Sequence, residues 1–345
     1  MKQNYANEHP WERLFTTGRV MRCAWKEQQD CIADVHRRMT PYLDTPPGTP
    51  DPYTVHGGPI PDTFYSWRKN MFSSLFHSVY LLLNFSPAHR ALYGRLIHLY
   101  RIWVTSADNL LDDEDKVVVP IRMPGQSRIM RQVVALMAAD RVLAEMLAEA
   151  VGAGILQEDT ARALSRASLC HLLPSGAQEA MEEGGITVRP DPEHVLAVIH
   201  RLKTGLLFNL AFIAPEIVED RYPAGQAGVL KSALMDFGLG CQLMDDIRDM
   251  ARDLMERRHN YVLSWIVHHR PALMCLLEAR VQSSEDRIYL QVPDVVLPAV
   301  RRGLAMMCDG LARLGELGLG CNQADSERMA RVMFNVLDIG ELCHV

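Results

Sequence analysis

The sequence predicts an all-α protein: a single helical bundle of long helices around a central cavity. Three observations lead there. Beyond residue 62, apolar residues recur at three- and four-residue spacing almost without pause, the period of an amphipathic helix. No segment alternates apolar and polar residues convincingly enough to read as a strand. Helix starts carry caps where they are needed, as in Ser86-Pro87, Asp159-Thr160 and Asp191-Pro192.

The elements follow in order. A helix at about 17–39 leads into a proline-rich loop that holds Pro46, Pro47, Pro50, Pro52 and Pro59 together with Gly57 and Gly58. Prolines at that density break both helix and sheet ladders. The chain is therefore divided into a leading segment, 1–62, and an all-helical domain, 63–345. Within that domain, helices are expected at about 63–83, 87–111, 127–150, 158–172, 176–183, 192–212, 225–254, 259–268, 270–279, 283–292, 295–314 and 323–340. No internal repeat is visible.

Composition narrows the function. A formal net charge of −6 with no basic run argues against a nucleic-acid partner. The eight cysteines show no C-x-x-C and no zinc spacing, which suits reduced thiols in a cytoplasm. The first eleven residues are polar, and no apolar stretch is long enough for stable membrane insertion.

Two carboxylate clusters stand out. The first reads Asp108-Asn109-Leu110-Leu111-Asp112-Asp113-Glu114-Asp115, and the second Gln242-Leu243-Met244-Asp245-Asp246-Ile247-Arg248-Asp249 with Asp253 beyond. Residues four apart share a helix face. Asp245, Asp249 and Asp253 thus form one stripe, and three anions on a stripe repel one another. A Mg²⁺ ion among them, completed by substrate phosphate oxygens, resolves that repulsion; so do local pairs with Arg248 and Arg252. The first cluster is either half of such a site or a solvated helix end. An EF-hand is excluded, because the loop spacing and its glycine are missing. Between the clusters, Lys203-Thr204-Gly205 interrupts an apolar helix, and Gln178-Glu179 sits in a polar one. Arg68-Lys69 precedes the apolar run from Met71 to Leu83.

In this order the motifs resemble those of the class I isoprenoid synthases, closest to the trans-prenyl diphosphate synthase branch. The resemblance runs from about residue 68 to 261. Its specific parts are Lys203-Thr204-Gly205-Leu206-Leu207-Phe208 and Gln242-x-x-Asp245-Asp246-x-x-Asp249. It implies a Mg²⁺-dependent enzyme of that fold, with three ions, a prenyl diphosphate substrate and a homodimer. Metal would bind Asp108, Asp112, Asp245 and Asp249, with Asp246 and Gln242 as ligands or supports. Lys203, Thr204, Gln178, Arg257 and Arg258 would hold diphosphate, and Arg68 and Lys69 a second anion. Trp103 and Phe208, with Phe72, Phe76 and Phe212, would line the hydrocarbon pocket, with ordinary core packing as the alternative reading of each.

The departures guide the finer expectation. The first motif is Asp-Asn-Leu-Leu-Asp rather than Asp-Asp, and a second register on 112–115 is open. The basic signature that binds isopentenyl diphosphate is absent, as are paired arginines after the first motif. Loss of the second anion site favours a terpene synthase or cyclase that ionises one allylic diphosphate. Chain elongation with isopentenyl diphosphate ranks second and head-to-head condensation third. A non-catalytic helical partner of a prenyl synthase is the reading from another class.

Overall fold

The structure, a computed structural model, describes residues 10–342. It is helical almost throughout, as the apolar spacing predicts. The chain forms two compact units. The amino-proximal unit holds Leu14–Leu169 and Leu210–Pro223. The carboxy-proximal unit holds, among the described residues, 10–13, Cys170–Asn209 and 224–342.

The amino-proximal unit is built on Arg19–Leu43, which packs against Met71–Leu82, Pro87–Leu111 and Arg128–Gly152. Its buried residues (Met21, Ala24, Gln28, Cys31, Ile32, Val35 and Met39 among them) recur every three or four positions, so one stripe faces the core. Ser86 caps Pro87–Leu111 by accepting from the His89 amide at 3.2 Å, and Pro87 fills the first helical position, where no amide is needed. The core of this unit is partly polar. Arg90 donates to Glu27 at 2.8 and 2.9 Å, and His77 Nε2 donates to Glu27 at 2.8 Å. His36 and His98 face each other through their Nε2 atoms at 3.0 Å.

Two details differ from the sequence expectation here. His56–Gly57 pairs antiparallel with Ile121–Arg122; two residues are too few to show an alternation. The helix expected from 63 begins at Met71, preceded by the 3₁₀ turn Asp62–Tyr65. Asn70 holds that turn by donating to the carbonyls of Ser66, at 3.0 Å, and Phe64.

The carboxy-proximal unit centres on Ala224–Arg248 against Pro293–Leu314. Glycines allow these backbones to touch. A Cβ at Gly240 would lie 2.6 Å from the Gly303 carbonyl oxygen, and one at Gly310 2.5 Å from that of Ala233. Gln323–Val336 joins them, opened by a reciprocal cap between Asn322 and Asp325. Trp11 closes the unit from the other end of the chain. Its indole donates to the Met329 carbonyl at 3.0 Å and packs 6.1 Å from the Phe237 ring. Burying Phe237 completely contributes about 1.5–3 kcal/mol.

Here too the helices end earlier than periodicity alone suggests. The one expected at 225–254 breaks at Asp249 and resumes as Met250–Met255. The one expected at 192–212 closes as Pro192–Phe208, where the Asn209 amide tightens onto the Leu206 carbonyl. The helix expected at 283–292 is reduced to the 3₁₀ turn Ile288–Gln291, because Asp286 draws the Gln282 and Ser283 amides into a loop. Among the described residues no single helix is long and apolar enough to cross a membrane, and the seven of the eight cysteines that lie among them are free thiols.

Candidate functional site

The first acidic motif lies at the end of Pro87–Leu111, in the amino-proximal unit. Asp108 and Asp112 are one turn apart, and the Asp112 amide closes on the Asp108 carbonyl at 2.8 Å. Asp113 then turns into the left-handed region, with φ 51°. Buried Asn109 holds the turn. Its amide nitrogen donates to the Lys116 carbonyl at 2.8 Å, and its oxygen accepts from the Lys116 amide at 2.9 Å. The acids that follow are paired with cations: Asp113 with Arg128 at 2.8 Å, Glu114 with Lys116 and Asp115 with Arg131.

Two turns before Asp108, on the same face, stands Arg101. Its Nη1 donates to the neutral Asn70 side chain at 2.8 Å. Burial is the force that lowers its pKa. Sequence reading missed this residue, although its seven-residue offset from Asp108 was available. Arg68 and Lys69, on the adjoining turn, are exposed; Arg68 lies 5.4 Å from the Trp67 ring and Lys69 4.9 Å from the Phe64 ring. Trp103 is half-buried, 6.0 Å from the Tyr100 ring. Phe72 and Phe76 are half-buried in the same unit and Phe212 is fully buried.

The second motif and the Lys203 segment both lie in the carboxy-proximal unit, where they form one polar network. Lys203 and Thr204 end an eleven-residue stretch of π-helix, Val195–Gly205. Such wide winding is rare and often marks functional positions. Lys203 Nζ is held by Glu179 at 3.0 Å and by fully buried Glu182 at 3.4 Å. Burial would lower the Lys203 pKa, but these two carboxylates outweigh it and the net shift is upward. Gln178 donates to Glu182 at 3.2 Å, and the His259 amide donates to the same carboxylate at 2.9 Å. Thr204 donates to Gln242, and Gln242 donates to Asp246 at 3.0 Å.

Asp246 is fully buried. Its other oxygen accepts from His200 and from the Tyr261 amide, both at 2.6 Å. It therefore ties Pro192–Phe208, Ala224–Arg248 and the start of Tyr261–His269 together. Asp253 accepts from Asn260 at 2.8 Å, and burial with the Asp246 charge raises its pKa well above the usual carboxylate range.

Asp245 and Asp249 make a different pair. Arg248 forks onto Asp249 through Nε at 2.7 Å and Nη2 at 2.6 Å, and its Nη2 also pairs with Asp245. Arg252 adds a contact to Asp249 at 2.6 Å. Asp245 keeps 35% of its side-chain surface, yet crowding by protein, then the Asp249 and Asp246 charges, push its pKa up to about 6 against the pull of Arg248. For Asp249 burial works upward as well, but the two arginines win and the pKa falls. Arg258 reaches Glu179 at 3.5 Å, whereas Arg257 turns away to the Ile186 carbonyl at 3.0 Å. Phe208 is core, 6.1 Å from the Phe237 ring and flush against Gly238. Glu182 and His200 were missed by sequence reading, since the His259 amide lies 77 residues from the first and Asp246 46 from the second, and partners so far apart leave no local pattern.

The fold has solved relatives. A geranylgeranyl pyrophosphate synthase from Lactobacillus brevis matches with a TM-score of 0.60 and 14% identity, over 94% of this chain and 98% of its own. A decaprenyl diphosphate synthase from Rhodobacter capsulatus gives 0.58 and 12%, over 95% and 99%. A geranylgeranyl pyrophosphate synthetase from Pyrococcus horikoshii gives 0.55 and 13%, over 95% and 98%. The chain thus has the all-α fold of the isoprenoid synthases. No family model matches its sequence, and neither does any curated protein.

Proposed function

We propose that this chain is a class I isoprenoid synthase that ionises an allylic prenyl diphosphate with the help of Mg²⁺. One observation carries the reading. On this fold, two separate helix ends each present aspartates four residues apart, Asp108 with Asp112 and Asp245 with Asp249. Carboxylate oxygens are the hard donors Mg²⁺ prefers, and the ion keeps several positions for water and substrate phosphate. Among the described residues no three His, Cys, Asp or Glu side chains converge on one point. Once bound, Mg²⁺ would supply Lewis-acid stabilisation of the leaving diphosphate.

The chain's own residues take the other roles. Asn109 fixes the corner that presents Asp108 and Asp112. Asp246 and Gln242 orient the second motif from beneath, and Asp246, with both oxygens engaged, positions rather than binds. Lys203 is oriented by Glu179 and Glu182 toward the diphosphate, and Arg258 stands beside it. Trp103 is offered to the hydrocarbon chain from the wall one turn before Asp108.

The finer assignment is a terpene synthase or cyclase, because the signature for a second diphosphate is missing. Arg101 favours a second reading, chain elongation. With Arg68 and Lys69 it places three cations on neighbouring turns of one unit. The discriminating experiment incubates the protein and Mg²⁺ with geranyl, farnesyl or geranylgeranyl diphosphate, with and without isopentenyl diphosphate. Hydrocarbon or alcohol formed without isopentenyl diphosphate supports the first reading. Longer prenyl diphosphate formed only with it supports the second. No product, together with no Mg²⁺-dependent thermal stabilisation by diphosphate, points to a non-catalytic partner. By the same analogy we propose a homodimer in the cytoplasm.

A further inference from the structure

The second motif carries its own cation. Arg248 touches both carboxylates that the proposed function gives to metal. Its Nε and Nη2 occupy the two oxygens of Asp249, at 2.7 and 2.6 Å, and Nη2 also pairs with Asp245. One guanidinium thus holds both of the aspartates, four residues apart, that would take the metal. Planar forks of this kind are the strongest hydrogen-bonded ion pairs available to a carboxylate. A third of the arginine's side-chain surface is exposed to solvent. Asp249 keeps a second partner, Arg252, when Arg248 leaves.

We infer that Arg248 competes with the divalent cation for Asp245 and Asp249, so that metal enters this motif only when the guanidinium swings out. This deepens the proposed function and rests on it for the identity of the ligands. The residue sets how tightly the second motif takes metal and touches no reacting atom.

The test uses the full chain and Mn²⁺, with free Mn²⁺ read by electron paramagnetic resonance. Arg248→Gln should tighten Mn²⁺ binding by about tenfold, the worth of one charged hydrogen bond. Adding Asp249→Asn should cancel the gain. Arg248→Lys keeps the charge but cannot fork, so it should bind Mn²⁺ more tightly than the parent and less tightly than Arg248→Gln. It also serves if the glutamine variant does not fold. Unchanged or weaker binding in a variant with parental helicity overturns the inference. Turnover of prenyl diphosphates is scored separately. Turnover with unchanged Mn²⁺ binding sinks the role of Arg248 alone. Tightened binding without turnover by the parent sinks the enzymatic reading and leaves the competition standing.

Discussion

Asn109 and Lys116 exchange two hydrogen bonds, at 2.8 and 2.9 Å, across the turn that ends the first acidic helix. One donates and one accepts on the side-chain amide, a combination an ionised carboxylate cannot offer. The Asp-Asn-Leu-Leu-Asp form is therefore built into the local fold. Asn109→Asp should strand the Lys116 carbonyl and cost about 1–3 kcal/mol. Urea denaturation would show it, and Mg²⁺-dependent product formation should fall with it. A variant as stable as the parent would refute the structural role.

Acid should destabilise the amino-proximal unit in two windows. Burial, with Arg101 nearby, lowers the pKa of His36 to about 4 and that of His98 well below its usual 6.5. A folded pKa beneath the unfolded one means stability present above pH 6.5 and lost as pH falls toward 4. For His36 the loss is on the order of 3 kcal/mol. Glu27 is raised by burial but drawn down further by His77 and Arg90, to about 2. Its contribution is present above pH 4.5 and disappears between 4.5 and about 2. Denaturation midpoints should decline in both windows, and His98→Gln should flatten the first. A pH-independent midpoint from 7 to 4 would contradict this account.

Gly240 tests the helix contact at the centre of the carboxy-proximal unit. A side chain there meets the Gly303 carbonyl oxygen at 2.6 Å and the Met307 amide at 2.9 Å, both backbone atoms. Gly240→Val should cost about 1–3 kcal/mol through overpacking. The midpoint should drop while the denaturant slope is kept. No change would mean the two helices part more easily than their packing implies.

Trp103 stands five residues before Asp108, half-buried beside Tyr100. With the indole in the hydrocarbon wall, Trp103→Ala deepens the cavity. Longer diphosphates should then be accepted or longer products made, visible in extracted product profiles. An unchanged profile at full activity would remove Trp103 from the wall.

Local geometry was legible and distant partnership was not. Spacing alone placed Asp108 with Asp112 and Asp245 with Asp249 on shared faces, and the cap at Ser86-Pro87 marked the helix start where it occurs. The alternative partners for the second cluster, Arg248 and Arg252, were also readable as near neighbours. Nothing in the sequence links Asp246 to His200, 46 residues away, or Glu182 to the His259 amide, 77 away. The break at Asp249 was hidden because the apolar rhythm continues through it. The isoprenoid synthase fold itself was reached from motif order, although identity to the solved relatives is only 12–14%.

The path of the chain has a consequence for synthesis. All residues of the amino-proximal unit have been translated by Pro223, so that unit is able to form while the rest is still being made. Trp11 belongs to the other unit and docks on Met329, 318 residues later. Trp11 is thus translated 318 residues ahead of the carbonyl it docks on. Until then a large indole remains unburied on a nascent chain, and in that interval a chaperone has most to protect.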